Sequence, residues 1–153
     1  GVTLVRSRFP PSAAELGSRR HPATVLEAKV SLGHWVAAAL ARGQATLAEA
    51  GLPAVHDPEI VRLRDVIQLE SDGALAPDAA CMTIEADGEQ QTVRIDHCKG
   101  SIENPMSDDD LSRKFAGQAT MQLPAQRASE LLARAWNVDR ERSVGDLVQL
   151  ARR

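Results

Sequence analysis

The sequence is poor in aromatic residues and in cysteine. It has no tyrosine, two phenylalanines and two tryptophans, and only two cysteines among 153 residues. The aromatic pattern of RNA-binding modules and the cysteine spacing of zinc fingers are both absent from it. Its formal net charge of −3 is too small to indicate nucleic acid or a membrane surface. We therefore expect neither as a partner.

Long apolar runs are also lacking. The longest, Trp35 to Ala41, is far shorter than the roughly 20 residues that span a bilayer. Residues 1–23 contain arginines and prolines and lack the apolar core of a secretory signal. Because the chain begins with Gly1 rather than methionine, we expect a processed product or a piece of a longer protein.

The two cysteines, Cys81 and Cys98, are expected to be free thiols. In a hairpin around a two-residue Asp87-Gly88 turn, Cys81 faces Arg94 and not Cys98. Free thiols indicate a reducing compartment, so the predicted location is cytoplasmic. Neither cysteine has the surroundings of a nucleophile or a metal ligand.

What the sequence does contain is a mixture of strand and helix signals. Ser31 is a good N-cap for a helix that ends at Gly43, and Asp57-Pro58-Glu59 is a strong helix start. Further helices are predicted to start at Ser107, near Pro124 and near Val144. The predicted strands cover Val2 to Phe9, Val66 to Glu70, Ala80 to Ala86 and Gln91 to Ile95.

Strands and helices do not alternate strictly, which favours an α+β fold over a doubly wound sheet. The last two strands form the clearest hairpin, in which Met82 faces Val93 and Ala80 faces Ile95. We predict a small, mostly antiparallel sheet with helices packed on it. Residues 1–153 are expected to form a single domain.

The candidate binding residues are Lys29, Ser31 and His34, at the entrance to the most apolar helix. A lysine, a hydroxyl, unpaired helix N–H groups and a histidine can together form an anion site. From the pattern alone, His34 is more often a packed or surface residue, and Lys29 a solvated lysine whose stem covers apolar surface.

Two other groups have simpler interpretations. Arg19, Arg20 and His21 could clamp a carboxylate, but are more typical of a solvated loop. The acidic run Asp108 to Asp110 suits a helix N-terminus, and the glycine of a calcium loop is missing. No cofactor or metal site is predicted. By spacing alone, no enzyme class follows.

Three ordered blocks carry a resemblance to a known family. The segment LEAKVSLGHWVAAALARG (26–43) resembles the "EAKFSLPYAVAAAL" signature of the MmgE/PrpD family. DPEIVRLRDVIQLESDGAL (57–75) resembles the helix and strand that follow it there. KGSIENPMSDDDLSRKF (99–115) is similar to the family's block around an Asn-Pro pair and a Lys-Phe pair. The family includes 2-methylcitrate dehydratase, cis-aconitate decarboxylase and iminodisuccinate epimerase.

The resemblance implies the smaller, C-terminal α+β domain of a lyase or isomerase that acts on a small di- or tricarboxylate without a metal. Its large helical domain, with most acid/base residues, is absent from this sequence, so the chain is expected to be inactive alone. Lys29, Ser31 and His34 would bind substrate, with His34 the candidate catalytic group. A role in propionate metabolism and a homodimer are further implications of the resemblance.

Two observations keep an alternative open. The family usually has Pro-Tyr where this chain has Gly33-His34, and an imidazole differs from a phenol in pKa and reach. The chain is also short for the family. The alternative is a stand-alone, non-catalytic module for dimerisation or carboxylate binding.

Overall fold

The structure, a computed structural model, describes residues 1–152. The chain divides into two compact units, Gly1–Asn104 and a second that begins at Pro105. Each unit is described below by itself. That residues 1–153 form a single domain stays a prediction.

The first unit contains one four-stranded sheet. Its strands are β1 (Val2–Phe9), β2 (Ile67–Ser71), β3 (Ala80–Ala86) and β4 (Glu89–Ile95), in the order β2-β1-β3-β4. β1 pairs in parallel with β2 and antiparallel with β3, which pairs antiparallel with β4. The predicted α+β fold with a mostly antiparallel sheet is therefore confirmed.

Five α-helices accompany the sheet in the described part of this unit. They are α1 (Pro11–Leu16), α2 (Val25–Lys29), α3 (Leu32–Arg42), α4 (Leu52–Val55) and α5 (Pro58–Val66), with a 3-10 turn at Leu47–Ala50. The core lies where α3 and α5 meet the sheet. It is built from small and branched apolar side chains, namely Val5, Val36, Ala37, Ala38, Ala54, Ile60, Leu63 and Ile67.

The caps of the long helices follow the sequence signals. The Asp57 carboxylate accepts the N–H groups of Glu59 and Ile60 at the start of α5. Gly43 ends α3 with φ +69°, a left-handed conformation that glycine adopts without a Cβ clash. Both helix boundaries were predicted from these residues, whereas α2 and α4 were not predicted.

The hairpin register is as predicted. Met82 lies opposite Val93, Ala80 opposite Ile95 and Cys81 opposite Arg94. Both cysteines are free thiols. On β4, Val93 and Ile95 remain about half exposed, so the apolar face of the hairpin is only partly covered.

The second unit is helical in its described part. It contains α6 (Asp108–Ala119), α7 (Ala125–Ala135) and α8 (Val144–Ala151), with a 3-10 turn at Val138–Arg140. A small apolar cluster joins the three helices, formed by Phe115, Ala119, Leu123, Ala128, Leu131, Leu147 and Leu150. No helix within residues 1–152 is long and apolar enough to cross a membrane.

Candidate functional site

The entrance to α3 is built around the Ser31 hydroxyl. Its oxygen accepts the backbone N–H of His34 at 3.1 Å, and its O–H donates to the Arg19 carbonyl at 2.6 Å. Ser31 is fully buried. The hydroxyl thus caps the helix and also fastens the segment that precedes α2 to the helix start.

A short strap, residues 17–19, crosses this entrance. The Leu32 N–H donates to the Gly17 carbonyl at 3.1 Å, and Ser18 and Ser31 form an isolated antiparallel bridge. A Cβ placed on Gly17 would lie 2.3 Å from Leu32 Cγ, so this close approach requires glycine. The chain's own strap therefore covers the helix start.

Lys29 ends α2 just before this entrance. The Trp35 indole N–H donates to the Lys29 carbonyl at 3.1 Å, which fixes the backbone of the joint between the two helices. The Lys29 side chain is exposed. Together with Ser31, it lines a mostly apolar depression of about 360 Å³, whose other walls are Ala13, Leu16, Gly17, Val30, Leu32 and Trp35.

His34 points into the protein. Its ring is fully enclosed, and Nε2 lies 2.6 Å from the Glu49 carbonyl oxygen. Because a carbonyl only accepts, Nε2 carries the hydrogen and Nδ1 keeps its lone pair. Nδ1 is buried and has no hydrogen-bond partner among residues 1–152.

Burial lowers the pKa of His34, because the low-dielectric interior disfavours the charged form. The hydrogen bond to the Glu49 carbonyl opposes this shift, while the positive charges of Arg64 and Arg42 reinforce it. The imidazole is therefore neutral at pH 7.

Glu49, which supplies the carbonyl for His34, is itself buried and ionised. Its carboxylate accepts the Thr46 N–H at 2.9 Å, the Thr46 hydroxyl at 2.7 Å and a Gln44 amide N–H at 2.9 Å. Burial raises the pKa of Glu49, but these hydrogen bonds outweigh it and the net shift is downward. The 3-10 turn behind His34 is thereby held rigidly.

Comparison with known families settles the relationship of the chain. Residues 2–138 match the family model described as the MmgE/PrpD C-terminal domain. The chain belongs to the MmgE/PrpD family. The match covers the first compact unit from residue 2 onward and the second unit as far as residue 138. The comparison with curated proteins gives no match.

In this MmgE/PrpD domain, the three predicted site residues, Lys29, Ser31 and His34, lie in two different environments. Lys29 and Ser31 line the same depression, and the Lys29 ammonium is open to solvent. Ser31 and His34 are joined by the cap hydrogen bond, but the His34 ring is enclosed on the far side. A ligand can meet Lys29 directly, whereas it can meet His34 only after the buried ring becomes exposed.

The second basic group is dispersed. The Arg19 guanidinium pairs with Glu27 at 3.2 Å, and His21 Nδ1 lies 4.0 Å from Asp65. Arg20 lines a separate depression beside Glu15. These three side chains do not form a common clamp in this structure.

Arg64 is a buried cation that was not predicted from the sequence. Its guanidinium donates to the Val55 carbonyl at 2.8 Å and to the Pro22 carbonyl at 3.4 Å. Burial lowers its pKa. Arg64 follows the buried Leu63 near the end of α5. Nothing in the sequence at this position distinguishes it from a solvent-exposed arginine.

A polar cluster at the base of the hairpin was also not predicted from the sequence. His97 Nδ1 lies 3.1 Å from an Asp78 oxygen and 3.9 Å from a Glu103 oxygen. The hairpin register could have revealed part of it, since continuing the pairing of Ala80 with Ile95 by two residues places Asp78 opposite His97.

The acidic run Asp108 to Asp110 forms the first turn of α6, as the sequence indicated. The Ser107 hydroxyl accepts the Asp110 N–H, and the Asp110 carboxylate accepts the Ser107 N–H in return. This reciprocal pair is a capping box.

Proposed function

We propose that the chain is the smaller domain of an MmgE/PrpD-type lyase or isomerase that acts on a small di- or tricarboxylate, and that it is inactive without the helical domain. Family membership carries this proposal, since the matched segment includes the block that holds Lys29, Ser31 and His34. The reaction class is abstraction of a proton next to a carboxylate, followed by elimination, decarboxylation or epimerisation.

Lys29 is the residue that we assign to direct substrate contact. Its ammonium is exposed at the rim of the depression, and its backbone is fixed by Trp35. A positioned cation holds a substrate carboxylate and stabilises the negative charge that develops next to it during proton abstraction.

Ser31 and His34 have a different place in the proposal. The hydroxyl and the imidazole are already bonded to the Arg19 and Glu49 carbonyls, so they hold the helix entrance that positions Lys29. His34 remains the candidate catalytic group if the assembled enzyme opens this entrance. The lone pair on Nδ1, which has no partner among residues 1–152, would then be free to accept a proton.

The test combines binding and reconstitution. Calorimetry with 2-methylcitrate and citrate is done on the chain and on its Lys29→Ala, Lys29→Arg and Arg142→Ala variants. Arg142 is an exposed cation outside the matched residues. Activity on the same compounds is assayed after mixing with the helical domain of a family enzyme. We expect Lys29→Ala to weaken binding and reduce activity roughly tenfold or more, Lys29→Arg to restore part of both, and Arg142→Ala to change neither. Equal behaviour of Lys29→Ala and Arg142→Ala would remove Lys29 from the site.

A non-catalytic module is the second candidate. The enclosed His34 at the position of the family's tyrosine favours it, since this side chain offers a substrate nothing in the present conformation. The double variant Lys29→Ala/His34→Ala separates the two candidates. An enzyme domain loses reconstituted activity by more than its stability loss explains, whereas a purely structural module loses stability alone. Sedimentation that shows no self-association, together with no citrate binding, would eliminate the module.

A cytoplasmic location, a homodimeric assembly and a role in propionate metabolism are part of the same proposal. They rest on the family resemblance and on the two free thiols. Size-exclusion chromatography with light scattering tests the dimer directly.

A further inference from the structure

The cluster at the base of the hairpin brings an imidazole and two carboxylates together from three places in the chain. Asp78 precedes β3, His97 follows β4, and Glu103 lies in the loop beyond. One ligand atom from each lies within 4.8 Å of the other two. The side chains are 29%, 44% and 55% exposed, respectively, so an ion can reach them from solvent and keep water in its remaining positions.

The backbone around these side chains is held by its own hydrogen bonds. The Cys98 N–H donates to the Asp78 carbonyl at 3.0 Å, which continues the hairpin beyond its last pair. The Asn104 side-chain amide donates to the His97 carbonyl at 3.0 Å, and the Gly100 N–H donates to the Asn104 carbonyl at 2.7 Å. The loop that carries Glu103 is therefore folded back towards His97 before any ligand binds, which lowers the entropy cost of binding.

A proton on His97 explains only part of this geometry. Nδ1 can donate one hydrogen bond, and Asp78 at 3.1 Å is within its reach. Glu103 at 3.9 Å is too far for a hydrogen bond, although its carboxylate faces the same nitrogen. A cation in the space between the three atoms would use all of them.

The spacing also suits a transition-metal ion. Zn²⁺ binds imidazole nitrogen and carboxylate oxygen at about 2.0–2.2 Å, so neighbouring ligand atoms of a tetrahedral site lie roughly 3.3–3.5 Å apart. The His97–Asp78 and His97–Glu103 separations of 3.1 and 3.9 Å bracket that value, and the Asp78 and Glu103 oxygens lie within 4.8 Å of each other. An imidazole in the set favours Zn²⁺ and similar ions over Mg²⁺ and Ca²⁺, which prefer oxygen ligands alone.

We propose that Asp78, His97 and Glu103 form a divalent transition-metal site, with Zn²⁺ the best-fitting ion and water completing its coordination. The ion fastens the base of the β3–β4 hairpin to the loop that follows it. The site is independent of the Lys29 depression and of the proposed lyase or isomerase activity.

Calorimetry with Zn²⁺ tests the proposal on the whole chain, prepared without a histidine tag and freed of metal by a chelator. We expect one equivalent to bind and to raise the midpoint of thermal unfolding. His97→Ala and Glu103→Gln should each weaken binding by at least the roughly 10–100-fold that loss of an outer partner costs at metal sites. The Zn²⁺-induced rise in the midpoint should vanish in both.

Asp96→Asn is the matched control. Asp96 is an adjacent exposed carboxylate, but it pairs with Arg94 at 2.6 Å and lies outside the cluster, so this variant should bind Zn²⁺ like the unmodified chain. Cys98→Ser should also bind normally. Weak binding of several equivalents, or equal binding by His97→Ala and Asp96→Asn, would overturn the proposal.

Co²⁺ gives a second measurement that does not depend on stability. Bound to nitrogen and oxygen ligands, it should produce a visible absorption band that Zn²⁺ displaces and that His97→Ala abolishes. Mg²⁺ in large excess should leave the band unchanged. Persistence of the band in His97→Ala would place the ion elsewhere and refute the assignment.

Discussion

Helices α3 and α6 both begin with a serine cap, yet the two entrances differ in almost every other respect. Ser107 is exposed, and the third residue of its helix, Asp110, returns a hydrogen bond to the cap. Ser31 is buried, and the third residue of its helix is His34, whose ring turns away to the Glu49 carbonyl. The same cap thus begins a helix at an exposed position in one case and anchors a buried polar network in the other.

The comparison shows what a cap hydroxyl can do beyond capping. At α6 the capping box satisfies two N–H groups that water could otherwise reach. At α3 the hydroxyl also supplies a donor to the Arg19 carbonyl, and both helix and strap depend on it. Loss of a hydrogen-bond partner lowers the stability more where water cannot replace that partner.

The largest expected effect is that of His34→Ala. Removal of a fully enclosed ring leaves a cavity and deprives the Glu49 carbonyl of its donor, so we expect the free energy of unfolding to fall by about 3–4 kcal/mol. Urea unfolding followed by Trp35 fluorescence in a Trp136→Phe background measures this within the first unit.

His56→Ala is the control for that measurement. His56 is exposed, so its removal should change the free energy of unfolding by less than about 0.5 kcal/mol. A similar small loss for His34→Ala would mean that the ring is not enclosed in solution, and would favour an open entrance in which His34 can meet substrate.

The next effect is the difference between the two caps. Ser31→Ala should cost about 2–3 kcal/mol, because it removes a cap and leaves the Arg19 carbonyl without its donor. Ser107→Ala should cost about 1 kcal/mol or less, the usual value for an exposed cap. Trp35 reports on the first, and Trp136 in a Trp35→Phe background reports on the second.

Equal losses in the free energy of unfolding for Ser31→Ala and Ser107→Ala would contradict the predicted difference between a buried and an exposed cap. In that case water would replace the Ser31 hydroxyl, and the strap at residues 17–19 would be open to solvent. Gly17→Ala sharpens the result, since its Cβ clashes with Leu32 and should reproduce much of the Ser31→Ala loss through the strap alone.

Local signals explain why much of the fold could be predicted from the sequence. Ser31, Gly43 and Asp57 fix helix ends through hydrogen bonds and backbone angles that span only a few residues. The Asp87-Gly88 turn fixes the hairpin register, because a two-residue loop permits one alignment of the apolar faces. The parallel pairing of β1 with β2 had no such signal, since its partners lie some sixty residues apart.

The candidate site was harder to predict, because its geometry also depends on residues that are distant in the sequence. The sequence placed Ser31 and His34 at a helix entrance, which is confirmed, but whether the ring faces solvent or Glu49 depends on the 3-10 turn that packs behind it. The strap over Ser31 comes from residues 17–19, in a segment interpreted as loop. Burial of a polar side chain is decided by such tertiary neighbours, which periodicity does not describe.

The smallest effect we predict is a pH dependence at the α3 entrance. The pKa of His34 is lowered by burial and by Arg64 and Arg42, so below about pH 6.5 the unfolded chain takes up a proton that the folded chain does not. Stability is therefore complete above that pH and falls as the pH drops towards the folded-state pKa, with a slope of at most about 1.4 kcal/mol per pH unit. Glu49 and Asp57, whose pKa values are lowered in the folded chain, make stability depend on pH only below about pH 4.5.

Urea unfolding from pH 7.5 to 5 measures the slope. We expect it in the unmodified chain and in His56→Gln, and we expect its loss in His34→Gln. Parallel curves for all three would mean that His34 titrates as freely as an exposed histidine. The enclosed entrance would then not persist in solution.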